Sequence, residues 1–333
     1  MARRALVTGS AGFIGFHMCR RLLEAGWEVI GLDGMTTYYD VALKERRLGI
    51  LKQHPGFTPV EAMVEEPGRV MGLVAEGRPE VIIHLAAQAG VRYSIDAPRA
   101  YVEANLIGTF EVLEAARAHP PAHLLIASTS SVYGANTSMP YAETDKADHQ
   151  MSFYAATKKA TEAMAHSYAH LFDIPTTMFR FFTVYGPWGR PDMAPYKFTR
   201  AILEGEPISV YNHGDMMRDF TFIDDLIEGI FRLIAVPPKD RVGEKDSLSP
   251  VAPWRVVNIG NGAPVQLLDF IGAIEAATGR EAIKELMPMQ PGDVPATWAD
   301  ATLIGDLVGP LPRTDIGEGM RRFVAWYRDY YGA

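Results

Sequence analysis

Ala5-Leu6-Val7-Thr8-Gly9-Ser10-Ala11-Gly12-Phe13-Ile14-Gly15 decides the fold. A short apolar run, Ala5–Thr8, reads as a buried strand and leads without a spacer into a glycine-punctuated turn. The turn opens a helix whose apolar stripe carries Ile14, Met18 and Leu22. Glycines at such a junction permit positive φ and let backbone N–H groups approach a pyrophosphate, which a helix N-terminus also favours electrostatically. The spacing is Gly-x-x-Gly-x-x-Gly, not the commoner Gly-x-Gly-x-x-Gly, yet it sits at the strand-to-helix junction that dinucleotide binding requires.

Outward from that turn, Glu28–Asp33, Val81–Ala86 and Leu124–Thr129 read as further strands, each followed by a helical pattern. Strands alternating with helices predict an α/β fold, a Rossmann-type doubly wound parallel sheet with helices on both faces. Pro175–Tyr185 reads as one more strand, after which Pro187, Gly189, Pro191 and Pro195 cluster and the elements shorten. A smaller C-terminal α/β substrate domain is expected there. Residues 1–180 are assigned to the cofactor domain and residues 181–333 mainly to the substrate domain, with parts of 224–275 returning to the first. The segment Pro237–Pro253 is expected to be an exposed, mobile loop, and Asp224-Asp225 to cap a helix.

Composition narrows the function. The 333 residues are 48% hydrophobic and 22% charged, as in an ordinary globular protein. Thirty-two basic against 40 acidic residues leave a formal charge of −8, so no basic surplus exists for nucleic acid. The single cysteine, Cys19, lies in a helical pattern and is expected to be a small buried side chain. Nine histidines show no ligand-like clustering, so no metal is expected. No signal-peptide core follows Met1 and no apolar run reaches bilayer length, so a cytoplasmic location without a membrane partner is expected.

Asp33 ends the second strand, 24 residues past Gly9. A carboxylate there accepts hydrogen bonds from ribose hydroxyls and repels a 2′-phosphate, while Gly34 and Met35 supply no cation, so the cofactor expected is NAD. Downstream, Ser128-Thr129-Ser130-Ser131-Val132-Tyr133-Gly134 follows a strand, and Tyr154-Ala155-Ala156-Thr157-Lys158 falls in a helical pattern. Tyr154 and Lys158 share one helix face. A phenol titrates near pH 10, and a neighbouring ammonium together with a cationic nicotinamide is expected to lower that value, making Tyr154 a base.

With these pieces, the chain resembles the extended short-chain dehydrogenase/reductase family through nearly its whole length. The matching stretches are Thr8–Gly15, His84-Leu85-Ala86-Ala87-Gln88, Asn105–Thr109, Ser128–Gly134, Tyr154–Lys158 and Arg180–Pro187. The resemblance implies that Tyr154 is the acid/base, that Lys158 orients the nicotinamide ribose, and that Thr129 polarises the reacting hydroxyl. It further implies a cofactor site of Gly9, Gly12, Phe13, Ile14, Gly15, Asp33, Leu85, Ala86, Ala87 and Asn105, with Tyr154 and Lys158.

Four stretches resemble, more narrowly, the branch of that family that epimerises UDP-glucuronate at C4. They are Ala87–Ser94, Gly186–Ala194, Tyr211–Met216 and Met289–Val294, and Thr183 is a further trait of the branch. Oxidising C4 of a uronic acid sets a ketone β to the carboxylate, so the site has to prevent loss of CO₂. Ser130, Ser131 and Thr183 are the neutral hydroxyl donors expected to hold that carboxylate. Tyr211 is expected on uracil, Arg218 on the diphosphate, Arg190 and Asp293 in the same nucleotide site, and Arg92 facing the substrate. A neutral UDP-hexose or UDP-pentose as substrate, or UDP-glucuronate decarboxylation, remains open. Relatives place an acid on adenine where this chain has Met63, within Val60–Glu65, so adenine contacts are expected to differ. The helix patterns Asn105–Ala118 and Phe153–Leu171 are expected to pair in a homodimer.

Overall fold

The computed structural model describes residues 3–290 and 294–333. Along β1 (Arg4–Thr8), Ala5 and Val7 face one hydrophobic core and Leu6 faces another. A strand buried on both faces needs helices on both faces, and the chain supplies them. β2 (Glu28–Asp33), β3 (Phe57–Glu61), β4 (Val81–His84), β5 (His123–Thr129) and β6 (Thr176–Phe181) follow, separated by helices. With β10 (Trp254–Ile259) they form a seven-stranded sheet of order β10-β6-β5-β4-β1-β2-β3, every neighbouring pair parallel. The fold class expected from the sequence is the one found. The strand order reverses between β1 and β4, and doubly wound sheets bind ligands in the crevice beyond such a reversal.

The remaining strands build a smaller region. β7 (Thr183–Tyr185), β9 (Met217–Phe222), β11 (Pro264–Gln266) and β13 (Ala296–Thr297) form one sheet, in which β9 pairs with all the others. β8 (Pro207–Val210) pairs in parallel with β12 (Ile283–Leu286).

Three expectations need correction and one is made more specific. Pro175–Tyr185 is two strands, because the chain leaves the central sheet at Phe182 and β7 pairs with β9 instead. Asn105–Ala118 is not one regular helix: Val102–Ile107 forms a π-helical turn before the α-helix Gly108–Ala118. Pro237–Pro253 is a largely exposed loop, as expected, but it is anchored. Asp246 within it is 3% exposed and takes a two-pronged contact from buried Arg255, at 2.9 Å for each nitrogen. The same carboxylate also accepts the Val242 and Leu248 N–H groups. Asp224 and Asp225 lie in the first turn of the helix Ile223–Leu233, where no side chain caps the start. Asp225 instead accepts the Thr314 N–H and hydroxyl, at 2.6 and 3.0 Å, and Asp224 pairs with Arg322.

Cys19 is fully buried on the helix Phe13–Glu24 beside Phe16, Leu22 and Leu23, as its place in the pattern suggested.

Candidate active site

Gly9 leaves β1 with φ +74° and its N–H donates to Leu32 O at 2.7 Å. A Cβ on Gly9 would stand 2.9 Å from the Ala86 nitrogen, and one on Gly15 would stand 1.9 Å from the Gly9 carbonyl oxygen. Bare backbone is therefore obligatory at both positions. The helix Phe13–Glu24 starts at Gly12 without a side-chain cap, which leaves its first N–H groups available to an anion. Thr8 joins this turn to the end of β4: its hydroxyl oxygen accepts the Leu85 and Ala86 N–H groups and meets His84 Nδ1 at 2.7 Å. Asp33, at the end of β2, accepts the Ala11 N–H on one oxygen and the Met35 N–H on the other. Buried Arg47 reaches the same turn, donating to Ala11 O at 3.0 Å and across to Trp188 O and Gly189 O.

On the other side of the reversal, Thr129 closes β5 and leads into the 3₁₀ turn Ser130–Tyr133. Its hydroxyl donates to Ser131 Oγ at 3.2 Å and accepts the Ser131 N–H. The helix Phe153–Phe172 starts at Ser152, whose hydroxyl oxygen accepts the Ala155 N–H and fixes the first turn where Tyr154 sits. Lys158 follows one turn later and is 2% exposed.

One cavity is lined by Gly9, Gly12, Phe13, Ile14, Gly15, Asp33, Leu85, Ala86, Ala87, Thr129, Tyr154 and Lys158. Residues from five regions of the sequence thus share one space. Asn105 is not in the wall. It is buried on the π-helical turn, where its amide accepts the Gln88 N–H, donates to Gln88 O and donates to Thr157 Oγ1 at 3.0 Å. It ties the β4 loop to the Tyr154 helix, a positioning role that the extra residue of a π turn makes reachable.

Electrostatics correct one expectation. Tyr154 lies above the ordinary phenol value, because burial raises it more than a hydrogen bond with Thr129 and the Arg190 charge lower it. The sequence had assigned a lowering to Lys158 together with a cationic nicotinamide; Lys158 is not among the groups that lower it. That lysine is itself pulled down to about 8 by burial, with Glu162 opposing. Glu162 was not singled out from the sequence, although its spacing from Lys158 is the same as that of Lys158 from Tyr154. Burial pushes its carboxyl up, yet Arg180, Lys159 and Ser128 hold it below its usual value. Arg180 binds both its oxygens, at 2.9 and 2.8 Å, and Ser128 donates at 2.7 Å.

The expected substrate residues are more spread. Arg190 lines the same cavity as the cofactor-side residues, held by Asp192 at 3.0 and 2.6 Å, and Asp192 also accepts the Tyr38 hydroxyl. Arg92 lies 5.7 Å from the centroid of the Tyr211 ring. Arg218, on β9, donates to the carbonyl oxygens of Met217, Val294 and Pro295. Thr183 opens β7 and is partly buried, as are Ser130 and Ser131. Asp293 lies outside the described residues. Tyr38 and Lys44, two further wall residues, were missed, since neither belongs to a stretch that the sequence reading used. Among the described residues no cluster suited to a metal ion occurs, and no helix is long and apolar enough to cross a membrane.

Comparison with known proteins agrees with this layout. Residues 5–249 match the NAD dependent epimerase/dehydratase family. A Rhizobium meliloti protein named as a probable UDP-glucuronate 4-epimerase is 56% identical over 333 residues, covering 98% of both chains. UDP-glucuronate 4-epimerase 4 of Arabidopsis thaliana is 42% identical over 98% of this chain and 75% of its own. The crystal structure of UDP-glucuronic acid 4-epimerase from Bacillus cereus, in complex with UDP-glucuronic acid and NAD, superposes with a TM-score of 0.88 at 31% identity, covering 98% of this chain and all of that one. The chain belongs to the NAD dependent epimerase/dehydratase family.

Proposed function

We infer that this chain is an isomerase that interconverts UDP-glucuronate and UDP-galacturonate by NAD-dependent inversion at C4, through a transient 4-keto sugar. One observation carries the reading. Tyr154, Lys158 and Thr129 share a cavity with the glycine turn, in a chain 56% identical to a relative bearing that name.

The cavity fits NAD. Its floor at Gly9 and Gly15 has no room for a side chain, as pyrophosphate approach to backbone demands. The Phe13, Ile14 and Gly15 N–H groups would hold the pyrophosphate, Asp33 the adenosine ribose, Leu85, Ala86 and Ala87 the far side of the dinucleotide, and Lys158 the nicotinamide ribose. Bound there, NAD would supply the acceptor, and afterwards the donor, of the hydride at sugar C4. Tyr154 Oη takes the proton of the 4-hydroxyl and later gives it back, with the Thr129 hydroxyl in the same wall. The Arg190 charge favours the phenolate that burial opposes.

Ser130, Ser131 and Thr183 hold the substrate carboxylate through neutral hydroxyl donors, out of the alignment in which a 4-keto uronate loses CO₂. Tyr211 stacks on uracil with Arg92 against its ring, and Arg218, Arg190 and Asp293 neutralise and frame the diphosphate. Two copies pair through the helices Gly108–Ala118 and Phe153–Phe172. That pairing is supported by Ile107, Phe110, Phe153 and Leu171, large apolar side chains 42 to 64% exposed on or beside them. The cytoplasm, where nucleotide sugars are made, is the proposed location.

Incubation of the purified protein with UDP-glucuronate, followed by NMR, tests the reading. UDP-galacturonate is the expected product, without CO₂ release. An unchanged substrate, or UDP-xylose in its place, would sink it.

A further inference from the structure

Glu65 stands in the wall of the cofactor cavity, just past β3. In the sheet order this is the side of the β1 turn opposite to β5 and the Tyr154 helix. If Lys158 marks the nicotinamide end and Asp33 the adenosine ribose, Glu65 lies where the adenine has to be. Its Oε2 is buried and has no hydrogen-bond partner. A buried carboxylate oxygen left without a donor is costly, and such groups persist where a ligand supplies the missing donor.

The segment that carries Glu65 is pinned on both sides. Ala62 N–H donates to Asp33 O at 3.2 Å. A Cβ on Gly34 would lie 2.4 Å from Met63 Sδ, and a Cβ on Gly108 would lie 2.6 Å from Val64 Cγ1. Close contacts of this kind hold the loop against the β2 end and the helix Gly108–Ala118, so swinging Glu65 out to water would break packing. Ala62, Met63, Val64 and Ala104 line the cavity beside it. These side chains make a narrow apolar surface with one unpaired acceptor, which matches a flat aromatic base carrying one exocyclic amine. A thioether against an aromatic ring is a favourable contact.

We propose that Glu65 Oε2 accepts a hydrogen bond from the N6 amine of the adenine of NAD, with Met63 packed on the ring. The proposal rests on the cavity being the NAD site. It makes Glu65 and Met63 the residues by which this chain tells adenine from other purines, and it says how the adenine contacts differ at Met63.

Equilibrating the full-length protein with mixtures of NAD and nicotinamide hypoxanthine dinucleotide, then measuring the bound dinucleotides by chromatography, tests it. In the analogue a carbonyl oxygen replaces the N6 amine and would face the carboxylate. The wild-type protein is expected to prefer NAD by roughly tenfold, the size of one charge-assisted hydrogen bond. Glu65→Ala is expected to bring the two dinucleotides to near-equal occupancy, and Glu65→Gln, whose amide can donate to a carbonyl, to shift occupancy toward the analogue. A purely structural role for Glu65 would lower the melting temperature of Glu65→Ala and leave the dinucleotide ratio at its wild-type value. That ratio, unchanged, overturns the proposal. Wild-type protein that binds neither dinucleotide overturns the NAD site itself, a result distinct from the first.

Discussion

At the scale of single residues, the proposed chemistry depends on the Tyr154 phenol, which burial holds above its ordinary value. Tyr154→Phe keeps the ring and removes only the proton carrier. It is expected to lower turnover of UDP-glucuronate by roughly a thousandfold while bound NAD, measured by absorbance after denaturation, stays at the wild-type level. Thr183→Ala tests the hold on the carboxylate. Fewer hydroxyl donors let the keto intermediate reach the decarboxylating geometry, so NMR is expected to show slower epimerisation and a larger share of UDP-xylose. Unchanged turnover and unchanged product ratio would remove Thr183 from the site. The Tyr154–Lys158 pair was legible because a helix repeats every turn. Glu162, one turn further on, shows how that reading stopped too early: its meaning depends on Arg180, which arrives from β6. The sign of the Tyr154 shift was beyond the sequence for a related reason, since burial is a property of the assembled fold.

At the scale of elements, the glycine turn and parallel strands could be read because each follows from local pattern. Breaks in the pattern could not. Phe182 lies inside the stretch Pro175–Tyr185 that reads as one strand, yet it marks a change of sheet that only the pairing of β7 with β9 reveals. The π-helical turn at Val102–Ile107 has no composition signal, and Asn105 owes its reach to it. In Pro237–Pro253, proline and charge suggested solvent, whereas Asp246 is paired with Arg255 from β10, nine residues away. Asp246→Ala leaves a guanidinium buried without its carboxylate. It is expected to destabilise the protein by about 3–5 kcal/mol in urea unfolding, with turnover by the surviving folded protein unchanged. A variant as stable as wild type would show that the pair is not holding the loop.

For the whole molecule, acid is the expected weakness. His17, His84 and His123 are buried, and burial brings them down to about 4, 3 and 4. Below pH 6.5 the unfolded chain takes up protons that these folded imidazoles refuse, so stability falls as the pH falls. Glu143 runs the other way, since burial pushes it up to about 7 and the folded chain binds its proton first. Three groups against one leave a net loss of the order of 2 kcal/mol between pH 6.5 and about 5.5. Urea titrations at the two pH values check it, and equal or greater stability at the lower pH would refute it. Fold class followed from the alternation of strands with helices, but the strand order, with Trp254–Ile259 returning to the sheet edge beside β6, needed the three-dimensional pairing to fix it. Arg47 has the widest reach of any side chain near the turn. It grips the glycine turn at Ala11 with one nitrogen and the Trp188–Gly189 backbone with the other. The glycine turn and the wall that leads to Arg190 therefore share a tether, and release of a dinucleotide bound there is expected to disturb both, so that a spent sugar departs many times over while the dinucleotide stays aboard.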